Sequence, residues 1–118
     1  MCLITKWKNP KIAEQDIVCY KVVLPTNDPN KFRAYWQDDF IFEIGKTYKH
    51  HFWNLITRKR ADISDLYEIY GGMFHSFQKR PTSRFNPVLE CIIPKGTKYY
   101  EGLHDEYCSR TIKIVRVL

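Results

Sequence analysis

The chain has 118 residues, 44% of them hydrophobic, and its 19 Lys and Arg against 13 Asp and Glu give a formal net charge of +6. That length suits one domain over residues 1–118 with its own core, and the apolar content and the lack of low-complexity stretches exclude a disordered chain. No run of 18 apolar residues and no basic-then-apolar leader occurs, so a non-secreted, cytoplasmic protein with no membrane partner is expected.

In chain order, DIVCYKVVL at 16–24 is rich in β-branched and aromatic residues and stops at Pro25, which predicts a central strand. Asp28 as cap and Pro29 as first helical residue predict a helix that gathers Phe32, Tyr35 and Trp36 on one face. FIFEIGKTYKHHFW at 40–53 reads as two strand pieces meeting near Gly45. Asp62 as cap, the helical spacing of Ile63, Leu66, Tyr67 and Tyr70, and Gly71 as stop predict a second helix, with a strand through 66–70 as its rival. GGMFHSFQKRP at 71–81 reads either as a ligand-binding elbow or as a helix stop followed by a strand with Phe74 and Phe77 in the core. VLECIIP at 88–94, a PKGT turn and TIKIVRVL at 111–118 complete the strands. The expected fold class is α+β: a mostly antiparallel sheet or small β-sandwich with short helices.

Four cysteines, Cys2, Cys19, Cys91 and Cys108, contain no Cys-x-x-Cys pair, and in a non-exported chain they are expected to stay reduced. No metal site is expected. His50 and His51 point to opposite faces of a strand, and HDEYC at 104–108 reads as an exposed turn leading into the last strand.

The charge is unevenly spread. No acid lies between Glu43 and Asp62, where Lys46, Lys49, Arg58, Lys59 and Arg60 occur, and none between Glu68 and Glu90, where Lys79, Arg80 and Arg84 occur. Basic and aromatic residues interleave in KTYKHHFWNLITRKR, so Trp53 and its aromatic neighbours could stack on bases while the cations track phosphates. Within GGMFHSFQKRP, His75 could act as acid or base, and Lys79 and Arg80 could hold an anion. Lys46, Lys49, Trp53, Arg58, Lys59, Arg60, His75, Lys79 and Arg80 are therefore the candidate binding residues. Nucleic acid, a nucleotide or an acidic protein is the candidate partner, and no cofactor is required.

Three resemblances extend this reading. The Met-Cys start resembles class II glutamine amidotransferases and the SOS-response-associated peptidases, which would make Cys2 a nucleophile. Both follow that cysteine with glycine where this chain has Leu3, and Cys2, Leu3 and Ile4 read instead as the start of a buried edge strand. The order of YKV at 20–22, FHSF at 74–77 and HDEYCS at 104–109 is similar to the layout of ADP-ribosyltransferases. That resemblance implies an enzyme or NAD-binding relative with Lys21, Ser76 and Glu106 as catalytic residues, although the family's Glu-x-Glu pair is missing. YKV, the glycine-aromatic-His-Ser element and IPKGTKYYEG also resemble small uncharacterised proteins of bacteria and phages, which implies an accessory protein or one that inhibits a host factor by docking. Together these readings favour a binding domain over an enzyme.

Overall fold

The computed structural model describes residues 2–7, 9–35, 40–49, 56–59, 66–70 and 74–118. In chain order the strands are β1 (Cys2–Thr5), β2 (Lys11–Ile12), β3 (Ile17–Pro25), β4 (Lys31–Ala34), β5 (Ile41–Glu43), β6 (Thr47–Lys49) and β7 (Ile56–Lys59). They continue with β8 (Tyr67–Tyr70), β9 (Phe74–Phe77), β10 (Val88–Ile93), β11 (Lys98–Glu101), β12 (Glu106–Ser109) and β13 (Thr111–Val117). Among the described residues there is no helix, so the fold is all-β and the α+β expectation is corrected.

Both expected helices fail for the same physical reason, which is that strand pairing outweighs local preference. Asp28 and Pro29 do start a turn, but it is a β-turn: the Asn30 amide donates to Asp28 Oδ1 (2.9 Å) and the Lys31 amide to the Asp28 carbonyl (3.2 Å). The chain then returns as β4, pairing Phe32 with Pro25 and Ala34 with Val23, and its alternation buries Phe32 and Ala34 while Lys31 and Arg33 face water. Residues 36–39 and 60–65 lie outside the described residues. Beyond them, Tyr67–Tyr70 is a strand hydrogen-bonded on both edges, to β1 and to β7, so the rival reading of 66–70 describes that segment.

All strand pairs are antiparallel. A ten-stranded sheet runs β2-β11-β12-β9-β3-β10-β13-β6, with β4 and β5 branching from β3, and a three-stranded sheet runs β1-β8-β7. The large sheet curls back on itself at the turn over 43–46. There the Lys46 amide reaches the Glu43 carbonyl (3.2 Å) and Gly45 takes φ of 88°, a conformation that glycine adopts without steric cost. This turn is bonded on one side to Asn30 through the Ile44 amide. On the other side it meets β13, through Gly45 N to the Ile114 carbonyl and Ile114 N to the Lys46 carbonyl. A circuit of hydrogen bonds therefore runs β3, β4, β5, turn, β13, β10 and back to β3.

The circuit encloses the core. Cys19 and Val23 from β3, Leu89, Cys91 and Ile93 from β10, and Ile112 and Ile114 from β13 are completely buried, joined by Phe42 and Phe74. Phe40, Phe42, Tyr48 and Phe74 form a cluster with centroids 4.8–6.1 Å apart, mostly edge-to-face. β3 is central as expected, but only its odd-numbered face is core: Val18 on the other face is 49% exposed. β9 obeys the same period, so Phe74 and Ser76 point inward while His75 and Phe77 face the opposite side, which corrects the expectation that both phenylalanines share the core. β1 is an edge strand whose Leu3 and Thr5 are buried against the β11–β12 hairpin, with Thr5 Oγ1 donating to the Glu101 carbonyl (2.7 Å). HDEYC is not merely a turn: His104 and Asp105 are exposed, but residues 106–109 form β12, paired on both sides.

Candidate functional site

Two groups of residues carry chemistry, one inside the sheet and one on its outer face. Inside, Lys21 lies on the core-directed face of β3 between Cys19 and Val23. Its Nζ donates to the backbone carbonyl of His75 and stands 5.3 Å from the centroid of Phe42. Burial pushes its ammonium below the ordinary lysine value. The surrounding thiols supply no counter-charge at neutral pH. Burial raises Cys19 to about 11, against the opposing effects of the Ser76 hydroxyl and of Lys21, and raises Cys108 to about 12. Cys91 is driven up by the same cause. Cys19, Cys91 and Cys108 are free and buried; the side chain of Cys2 lies outside the described residues.

Tyr20 pairs with Phe77, which puts those two side chains on one face and Lys21 and Ser76 together on the other. Ser76 is buried, and its hydroxyl makes no hydrogen bond of regular geometry among the described residues. Glu106 also pairs with Phe77, so it projects from the face opposite Lys21 and Ser76. The structure thus unites two of the three residues that the ADP-ribosyltransferase layout singles out and directs the third away. His75 lies on Glu106's side, with its ring nitrogens 3.7 and 3.9 Å from Cys108 Sγ. Burial first, and the Lys21 charge second, lower the His75 imidazole to about 4, so it is neutral at physiological pH.

The outer face is built by alternation. On β6, Tyr48 points into the core, where its hydroxyl oxygen accepts the Glu43 amide (2.7 Å), and Thr47 and Lys49 point out. Across the strand gap, Thr47 pairs with Lys113 and Lys49 with Thr111, while Ile112 between them is buried. Lys49 and Lys113 are therefore diagonal neighbours on one exposed surface, and neither makes an ion pair among the described residues. Lys46 in the preceding turn is bound to Glu43 at 2.7 Å, and that hydrogen bond raises its pKa. Further along the same face of β13, Arg116 is paired with Glu90 (3.0 Å).

The rest of the expected basic run divides. Arg58 and Lys59 occupy β7 of the small sheet, in register with Glu68 and Tyr67, so they do not continue the strand that carries Lys49. Trp53 and Arg60 lie outside the described residues. Lys79 is exposed 3.7 Å from Asp105, and Arg80 lines a groove of about 310 Å³ formed with Pro81, Thr82, Ser83, Asn86, Pro87, Val88 and Leu118. The sequence reading missed Lys113, although the alternation in TIKIVRVL, with Ile112 and Ile114 inward, marks it as outward-facing.

Compared with known proteins, the chain matches no family model, and no curated protein and no solved structure matches it.

Proposed function

We propose that this all-β domain works by binding nucleic acid through the outward face of β6 and β13, as an accessory protein of the bacterial or phage cytoplasm. The observation that carries the reading is the pair Lys49 and Lys113: two exposed cations on adjacent strands that make no ion pair among the described residues, the nearby Glu90 being held by Arg116. Like charges at that spacing weaken a sheet slightly, so they add nothing to folding and are left to attract an anion. The core-directed aromatics do not serve this surface, since Tyr48 and the phenylalanines beside it are spent on packing. Phosphate spacing along an extended strand suits a row of cations on a β-ribbon better than it suits a single pocket.

The test is a titration of labelled nucleic acid followed by fluorescence anisotropy at rising salt. Affinity is expected to fall steeply with salt, and Lys49→Glu with Lys113→Glu should weaken binding by about tenfold or more at low salt, because each lost phosphate contact removes one released counterion. Affinity that is unchanged by salt would remove the phosphate account. Capture of an acidic protein in place of nucleic acid would assign the same face to docking.

A further inference from the structure

Phe85 is 86% exposed, the most exposed large apolar side chain among the described residues. Burying a phenylalanine is worth about 1.5–3 kcal/mol, and the fold leaves that gain unused here. The ring sits on a loop that is held rather than loose. Its start is fixed by the Gln78 amide on the Asp105 carbonyl (2.7 Å) and its end by the Val23 amide on the Pro87 carbonyl (3.0 Å). Between them, Ser83 Oγ accepts the Asn86 amide (3.3 Å), and Pro81 and Pro87 restrict the backbone.

The chemistry around the ring is cationic and polar. The guanidinium of Arg84 stands 5.7 Å from the Phe85 centroid, within cation–π range. The adjacent groove is lined by Arg80, Thr82, Ser83 and Asn86, with Pro81, Pro87, Val88 and Leu118 as its apolar part. One exposed ring among arginines and hydroxyl-bearing side chains is more polar than the desolvated centre of a protein-docking patch. It does suit the flat face of a nucleobase, with arginine available to the flanking phosphate.

We infer that the loop over residues 78–87 is a base-stacking contact for single-stranded nucleic acid, with Phe85 under a base and Arg80 and Arg84 on the phosphates. This rests on the nucleic-acid reading above and adds to it the class of ligand. β13 carries the exposed Lys113 near one end and runs towards Leu118, which lines the groove with Arg80, so a long single strand is the ligand suited to engage both contacts. A duplex keeps its bases stacked on one another and offers Phe85 no free face, so the site discriminates in favour of single strands.

The experiment uses anisotropy with a labelled oligothymidylate and a duplex of equal length. Wild type is expected to prefer the single strand. Phe85→Ala should weaken single-strand binding by about 5- to 100-fold and barely affect the duplex. Phe85→Trp should restore affinity, with tryptophan quenching on binding beyond that of wild type. If Phe85→Ala binds the oligothymidylate as tightly as wild type while Lys49→Glu with Lys113→Glu has lost binding, the stacking site is refuted and the basic face survives. If wild type binds neither nucleic acid at low salt, both fall.

Discussion

Placing the amino group of Lys21 between the ring of Phe42 and the carbonyl of His75 takes it out of water without a carboxylate to meet it. Burial then lowers the affinity of that amine for a proton, and the charge that remains helps to hold His75 neutral. Both shifts have the same sign for stability. His75 titrates at about 4 in the fold against an ordinary value of 6.5, so as pH falls through that window the unfolded chain takes up more protons and the fold loses up to about 3 kcal/mol. Lys21 acts likewise above its lowered value, where stability rises with pH towards 10.5. We expect the His75 ring, followed by NMR, to titrate near pH 4, and to move upward in Lys21→Met while staying below 6.5, because burial is the larger of its two causes. A midpoint of 6.5 in the wild-type protein would mean that the ring is open to water. The sequence singles out Lys21 through the resemblance of its YKV strand to ADP-ribosyltransferases, but its burial was not legible, because CYKVV is apolar on both faces and does not say which one is core.

At the scale of the element, the small sheet is seated on the large one where β1 meets the β11–β12 hairpin, and the tightest point is at Gly102. A β-carbon on Gly102 would come within 2.7 Å of Leu3 Cδ1 and 3.3 Å of the Glu106 carbonyl, and Leu3 is fully buried. Gly102→Ala is therefore expected to destabilise the protein by about 1–3 kcal/mol, read as a lower urea midpoint with an unchanged slope. A midpoint equal to wild type would show that Leu3 yields freely. This seat was not legible in YYEGL, since the partner lies nearly a hundred residues earlier in the chain. The same distance explains which elements were readable. β3, β10 and β13 are long apolar alternations and declare themselves, and Gly45 and Gly96, at φ of 88° and 86°, mark the turns expected near them. β4 and β8 carry cues shared by helices and strands, and only the edges they pair with decide between them. The split of the basic run between β6 and β7 was equally hidden, because charge runs state composition and not which sheet each residue joins.

For the whole molecule, the defining property is that its pairings are remote in sequence: Cys2 with Tyr70, Cys19 with Cys91, Lys11 with Tyr99. Closing such loops precedes any gain from the contacts, so refolding monitored by stopped-flow fluorescence is expected on the millisecond to second scale, and microsecond folding would contradict the topology. Among the described residues the main path of the curled sheet ends in β2, with two residues including Lys11, and β6, with three including Lys49. Short, charged ends resist joining to the same ends of another copy. Lys49 is thus placed where a charge discourages edge-to-edge pairing, whatever it binds. If the proposed binding holds, a polyanion that neutralises Lys49 would remove that charge from the edge, so copies crowded along one long nucleic acid would be the condition that most favours edge-to-edge association.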